Sequence, residues 1–405
     1  MKLTVKKPTR SMLLLGCACG LVANTGTALA QAEPDILFNA RLRYEQVDQD
    51  GFADSANALT LRTRLGIDSG EVEGFRFLVE AENVLHLVDD FNSTTNGLAG
   101  YPVVADPEET ELNRLQVSFS GVSDTVAVLG RQRVILGDAR HVGNVGFRQN
   151  EQTFDAFRVT WTGVENLTLN YLYLDRVHRI FGDDHPAGEW DLDAHLFNVD
   201  YAGGMGTISG FAHLVDNQDV AALSAATYGL RWSGQHDTAA GASFAWFAEY
   251  ARQSEHGDNP ASFDLDMFRA QASMAANGLS GAIGVESLDG NGTRGFSTPL
   301  ATLHAYQGWA DVFLGTPANG MRDVYVRASW TAAQSPIGEG LSAAVAFHDF
   351  EALHGGGDLG SEIDAVVTAR LSAHYSLQLK GAFYNGPTGG PADRDKVWLA
   401  FTVNY

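Results

Sequence analysis

"ALTLRTRLGID", residues 58–68, decides the fold. Leu59, Leu61, Thr63, Leu65 and Ile67 fall on one side of a two-residue repeat, and Thr60, Arg62, Arg64, Gly66 and Asp68 fall on the other. That period is a β-strand with one apolar and one polar face. The same alternation runs through "ILFNARLRYE" (36–45), where Ile36, Phe38, Ala40, Leu42 and Tyr44 alternate with Asn39, Arg41, Arg43 and Glu45. It closes the chain in "KVWLAFTVNY" (396–405), with Val397, Leu399, Phe401, Val403 and Tyr405 on one face.

Extended along the chain, this pattern gives about eighteen strands. They begin near Ile36, Ala56, Glu73, Glu111, Asp124, Thr153, Asn166, Asp193, Gly206, Ser224, Gly241, Leu265, Leu279, Met321, Gly340, Ser361, Tyr375 and Lys396. Short turns (121–124, 163–166, 203–206) alternate with long polar loops, roughly 86–110, 131–152, 176–192, 289–320 and 386–395. An even strand number with loops sorted by length predicts an all-β, antiparallel transmembrane β-barrel, its short turns periplasmic and its long loops extracellular. Trp161, Tyr171, Tyr173, Trp232, Trp246, Tyr250 and Trp330 lie near strand ends, where interface girdles need aromatics. "QGWADVF" (307–313) has strand character, but counting it would make the number odd, so it belongs in the long loop before Met321.

The first thirty residues read as a signal peptide. Lys2, Lys6, Lys7 and Arg10 precede an apolar stretch from Met12 to about Ala23, and Ala28-Leu29-Ala30 matches a small-x-small cleavage site. Cleavage would leave one barrel domain, residues 31–405, without cysteine, because Cys17 and Cys19 both lie in the leader. Loss of the leader's four cations takes the formal charge from −22 to −26. So acidic a chain disfavours nucleic acid. The expected surroundings are outer-membrane lipid and lipopolysaccharide, with the terminal aromatic Tyr405 as a signal to the barrel assembly machinery. Acids such as Asp106, Glu108, Glu109, Asp183 and Asp184 fall in long loops, which places the excess negative charge outside the membrane.

If apolar faces meet lipid, polar faces line the lumen. By alternation the lumen then receives Arg41, Arg43, Arg62, Arg64, Arg76, Arg114, Arg131, Arg133, Arg158, Arg231, Arg269, Arg327, Arg370 and Lys380. The acids Glu45, Glu80, Glu249, Glu286, Asp323 and Asp364 are fewer, and this predicts a basic interior in an acidic protein. Guanidinium groups stay charged and fork onto carboxylates, so such a pore selects anions. "GRQRVILGDARHVGNVGFRQN" (130–150) gathers Arg131, Arg133, Arg140, His141 and Arg148 around one acid, Asp138. Its glycines let the backbone bend inward, so the loop is read as folded toward the pore, with Arg131 and Arg133 on the barrel wall.

At these residues the chain resembles the alginate export family of outer-membrane barrels. The resemblance rests on "TLRTRLG" (60–66), "GRQRVILGDARHVGNVGFRQNEQTFDAF" (130–157), "FSTPLATLHAYQGWADVF" (296–313) and "HDFEALHGGGDLGSEIDA" (348–365). It implies an eighteen-stranded barrel with an electropositive constriction that passes a polyuronate, an anionic polysaccharide such as alginate. The implied substrate path is Arg62, Arg64, Arg131, Arg133 and Arg158, with Arg327, Arg370 and Lys380 matched by strand. The alternative cargo is a small anionic solute such as a sugar acid.

No catalytic motif is present, neither G-x-S-x-G, nor H-E-x-x-H, nor a P-loop, so neither enzymatic activity nor a cofactor is expected. "HRIFGDDH" (178–185) offers two histidines and two aspartates, but in a long loop it reads as a solvated charged segment rather than a metal site. "DQDGFAD" (48–54) and "DGNG" (289–292) do not complete an EF-hand loop.

Overall fold

A computed structural model describes residues 33–239 and 241–405. The expected leader, residues 1–30, lies outside the described residues. Eighteen strands follow one another: β1 (Asp35–Gln49), β2 (Ala56–Val72), β3 (Phe75–Asp90), β4 (Glu109–Val122), β5 (Thr125–Gln132), β6 (Thr153–Val164), β7 (Leu167–His178), β8 (Glu189–Gly203), β9 (Gly206–Asn217), β10 (Ala225–Asp237), β11 (Ala242–Glu255), β12 (Asp264–Ala276), β13 (Leu279–Leu288), β14 (Met321–Thr331), β15 (Gly340–Ala352), β16 (Asp358–Arg370), β17 (Tyr375–Asn385) and β18 (Arg394–Asn404). Each pairs antiparallel with its sequence neighbour, and β1 also pairs with β18, from Asn39↔Asn404 to Gln49↔Arg394. The sheet therefore has no free edge, which an open sheet could not achieve in lipid.

The distribution of polarity is the reverse of a soluble protein's. Leu65, Ile67, Phe77, Ile283 and Leu379 are all more than half exposed, whereas Arg43, Glu45, Glu249 and Asp364 are buried to 2% exposure or less. The two-residue repeat of β2 is the local cause: Leu65 and Ile67 point out, and Arg62 and Arg64 point in. Trp232, Tyr250 and Trp330 stand exposed on the outer surface, and Trp161, Tyr171, Tyr173 and Trp246 are half-buried among their neighbours.

Each strand begins within four residues of its sequence-based start. The two ends of the barrel differ. The connections 73–74, 123–124, 165–166, 204–205 and 277–278 are two-residue turns, and 332–339 is the longest on that end. The opposite end holds the long loops 91–108, 133–152 and 289–320, although 50–55 and 353–357 there are short. Gln307–Phe313 lies within loop 289–320 and joins no strand.

Three long loops fold into the barrel. Val142 and Leu300 form a parallel bridge between loops 133–152 and 289–320, and the Gly143 amide donates to the Leu300 carbonyl at 2.9 Å. Gln152 Nε2 donates to the carbonyls of Gly143 (2.8 Å) and Leu300 (2.9 Å), which ties the junction together. Beneath loop 289–320 part of the inner wall is apolar: Phe296, Ala310 and Phe313 pack on Phe350, Tyr384 and Trp398. Val134, Leu136, Val142 and Leu300 pack likewise on Phe154, Leu172, Leu174 and Leu196. Under loop 133–152 the strands are thus apolar on both faces, whereas the wall under loop 289–320 also carries buried Glu286, Glu362 and Lys396. The expectation that loop acids lie outside the pore needs correction here, because Asp106 is fully buried against Arg43, its Oδ1 accepting from the Gln149 amide at 2.8 Å.

Candidate functional site: the arginine wall and the inner loops

β1 and β2 place Arg41 opposite Arg62. One repeat of the pleat brings Arg64 to the same inner surface, and Arg114 joins it across β3, paired with Glu80. Arg41, Arg62, Arg64, Arg114 and Arg133 line one cavity of about 390 Å³. Arg64 pairs with Glu82 and, at 3.4 Å, with Glu151. Arg114 forks onto Glu80 (2.9 and 2.8 Å), and Arg133 forks onto Glu151. Burial works to raise the Glu151 carboxyl, but Arg64, Arg133 and the Asn113 amide overcome it and hold the group at about 2.

Arg41 and Arg62 differ from these. Arg62 donates to Asn39 Oδ1, and its Nε is buried without a partner among the described residues. Arg41 donates to Gln149 Oε1 at 2.9 Å and to the carbonyls of Gly146 and Arg148. Among the described residues neither has a carboxylate within 4.0 Å. Two adjacent inward guanidiniums, which Glu82, Glu151 and Asp106 reach only at longer range, leave positive charge on this wall incompletely balanced.

The other sequence-based site residues are scattered. Arg158 faces inward on β6 and donates to Asn170 Oδ1 at 3.1 Å; its Nε has no partner. Arg327 is exposed beside the Tyr325 ring and lines a second cavity, about 280 Å³, with Asp138, Arg269 and Tyr306. Arg370, at the turn end of β16, lies 4.0 Å from Glu339. Lys380 is buried against the Trp309 ring (3.8 Å), with Nζ 2.6 Å from His304 Nε2. Arg62, Arg64 and Arg133 therefore come together, while Arg158, Arg327, Arg370 and Lys380 stand apart from them.

Arg131 is a correction. It pairs in register with Leu115, which is 53% exposed on the outer face, and it follows Leu129, also outward. Its guanidinium forks onto Asp155 (2.9 and 3.2 Å) at the loop end of the outer wall, not in the lumen. The cause is local. Val126 to Leu129 is apolar on both faces, so alternation there has no phase, and Arg131 and Arg133 stop being equivalent once the strand ends at Gln132.

Arg140, His141 and Arg148 hold the loop rather than offering free charge. Arg140 Nε lies 2.5 Å from Glu286, His141 Nε2 2.8 Å from Glu249, and Arg148 reaches both Glu45 (3.2 Å) and Asp311 (2.9 Å). Asp138, on the same loop, ties Arg231 (2.9 Å) to Arg269 (2.8 Å). Burial would raise the Asp138 carboxyl, but Arg269 and Arg231 hold it at about 2. Sequence reasoning missed the inward role of loop 289–320. There Asp311 Oδ1 accepts from His304 Nδ1 (2.7 Å), and Asp311 Oδ2 accepts from Lys396 Nζ (2.9 Å). The Ala310 amide donates to Glu362 at 2.7 Å. The signal was available in "QGWADVF", whose apolar period is that of a chain packed against a wall.

A closed eighteen-stranded antiparallel barrel with a lipid-facing apolar belt and charged side chains inside has the architecture of an integral outer-membrane porin. The chain is similar in fold to Pseudomonas aeruginosa OccK9 (OpdG), with 15% identity and a TM-score of 0.70 over 92% of this chain and 98% of that one. It is similar to Acinetobacter baumannii OccAB4 (13%, TM-score 0.70, 93% and 99%). It is likewise similar to the outer membrane protein OpdK of P. aeruginosa (14%, TM-score 0.67, 92% and 99%). No family model matches the chain, and no curated protein matches it in sequence. The alginate-export resemblance thus gains no support from these comparisons, whose similar structures are of the Occ/Opd group.

Proposed function

We propose that this protein is an outer-membrane channel selective for small anionic solutes, with carboxylates such as sugar acids as the class its arginines suit best. The observation behind this reading is the Arg41–Arg62 pair, inward and without a carboxylate partner, beside the Arg64–Arg114–Arg133 cluster. An anion passing about 5 Å from one such charge in water gains roughly 0.8 kcal/mol, and a cation loses as much. Two guanidiniums together discriminate further, and their planar forks suit a carboxylate in a way a lysine would not. A small solute is favoured over a polyuronate because loops 133–152 and 289–320 are joined inside the barrel, leaving cavities of about 390 and 280 Å³. Spaces of that size hold single small ligands. Outer-membrane lipid and lipopolysaccharide around the apolar belt, and assembly through the C-terminal strand, complete the reading.

The test is the reversal potential of the purified protein in a planar bilayer under a salt gradient. Wild type should prefer anions, and Arg62→Ser should move the potential toward cations. Arg131→Ser, on the outer wall, should leave it unchanged. A cation-selective wild type would sink the proposal. Stronger current block by oligouronates than by monomeric sugar acids would favour polyuronate passage instead.

A further inference from the structure

We propose that His178, Asp183 and Glu189 form a binding site for one borderline divalent cation of the Zn²⁺ type, on the outer wall where β7 and β8 meet the loop 179–188. A ligand atom from each of the three lies within 4.8 Å of the others. Two of the groups are exposed carboxylates, which alone would argue only for a solvated acidic rim. The histidine makes the difference.

His178 is 4% exposed, and its two nitrogens have different surroundings. Nε2 lies 3.0 Å from Asp155 Oδ2. An ionised carboxylate only accepts, so Nε2 must carry the proton and donate. In the neutral ring Nδ1 is then the lone-pair nitrogen. That atom is buried and, among the described residues, has no hydrogen-bond partner. It points at Glu189, whose Oε2 is 3.6 Å away. A carboxylate behind the imidazole, with the free nitrogen turned to another, Glu189, is how metal-binding histidines are oriented. Asp155 is itself fixed by the Arg131 fork, so the outward turn of Arg131 serves the orientation of this ring.

The donor set selects the cation. Calcium takes six to eight oxygens and no imidazole, and magnesium retains its waters. One imidazole nitrogen and two carboxylate oxygens suit Zn²⁺ or a neighbouring transition ion, with a fourth position left to water. Ligands around tetrahedral Zn²⁺ stand about 3.3 Å apart. The His178–Glu189 distance is near that already, and Asp183, on an exposed loop, must close the rest. Two neighbours bear on the site. Arg176 Nη1 lies 3.5 Å from Glu189 Oε2, but its Nη2 is 2.6 Å from Asp191, which can retain it. Glu109 accepts the Asp183 amide at 3.2 Å and holds that turn against the wall. His185, although it lies in the same "HRIFGDDH" segment, accepts the Ala187 amide at 3.0 Å and is turned away.

The experiment is Zn²⁺ titration of the detergent-purified full-length barrel by calorimetry. Co²⁺ substitution would follow, because its visible absorption reports nitrogen and oxygen ligation. The expected result is one equivalent bound with a Kd on the order of micromolar. His178→Gln should abolish it, Asp155→Asn should weaken it about 10- to 100-fold, and His185→Ala should leave it unchanged. Heat-modifiable migration of each variant establishes that the barrel is intact. Absence of Zn²⁺ binding by wild type would overturn the proposal. So would unchanged binding in His178→Gln, or Ca²⁺ competing equally with Zn²⁺, since either would mean that the acids alone attract the ion.

Discussion

Replacing Asp311 by asparagine should release loop 289–320 from the wall without changing its shape. Asp311 is 8% exposed and receives His304 Nδ1 at 2.7 Å, Lys396 Nζ at 2.9 Å and Arg148 Nη2 at 2.9 Å. Burial acts to raise its carboxyl, but the His304 hydrogen bond, Lys396 and Arg148 hold it well below the usual carboxylate range, so it is charged at neutral pH. His304 is pushed down to about 3, chiefly by burial, and is neutral there. The substitution therefore strands positive charge. Arg148 keeps Glu45 at 3.2 Å, but Lys396, 3% exposed, has no other carboxylate within 4.0 Å among the described residues. Stranding one partner of a buried pair costs about 3–5 kcal/mol, and the lower end applies because the amide oxygen still accepts one hydrogen bond. About 3 kcal/mol raises the undocked population by roughly 100-fold. Single-channel recording should show frequent excursions to higher conductance in Asp311→Asn. Lys396→Met added to it should suppress many of them, because the stranded charge is then gone. Recordings indistinguishable from wild type, from a barrel with normal heat-modifiable migration, would refute this account of how the loop is held.

Two further outcomes follow from the other inner loop. Glu151 titrates at about 2 against an unfolded value near 4.3, so it contributes stability that is complete above the unfolded value and lost as pH falls through the folded one. About two units correspond to roughly 3 kcal/mol, and open-channel noise should grow between about pH 4 and pH 2, a rise that Glu151→Gln should flatten. Gly137 has φ +58°, and a Cβ there would stand 2.0 Å from Arg231 Nη1. Gly137→Ala should cost about 1 kcal/mol in backbone strain and displace Arg231 from Asp138, seen as faster hydrogen exchange over residues 133–152.

The barrel was legible in the sequence because lipid and water impose opposite demands on alternate residues, and period two survives wherever both are met. β2 is the clearest case, since Leu59, Leu61, Leu65 and Ile67 alternate without a break with Thr60, Arg62, Arg64 and Asp68. The starts of β2, β6, β9, β13, β14, β15 and β17 coincide with the sequence reading for this reason. The excess of inward arginine over acid was less legible. It was counted from wall residues alone, and the inner loops add Asp106, Asp138, Glu151 and Asp311 to the lumen. Whether a loop folds in or out is a tertiary choice that strand periodicity does not encode.

Where the inner wall packs on apolar loop side chains, it no longer meets water, and the alternation that fixes side-chain direction fades. On β7, Leu172 and Leu174 are fully buried beneath loop 133–152, while Tyr171 and Tyr173 face outward, so both faces are apolar. The run Val126 to Leu129 on β5 has the same ambiguity, and alternation carried through it points Arg131 into the lumen. Only the pairing of Arg131 with Leu115 resolves the phase. The loss of periodicity is therefore informative in its own right. On β7 the apolar stretch on both faces marks wall that the inward loop 133–152 covers. A clean alternation persists where the wall meets polar groups: Arg62 and Arg64 are 4% and 7% exposed, and Arg41 donates to Gln149 and to the carbonyls of Gly146 and Arg148.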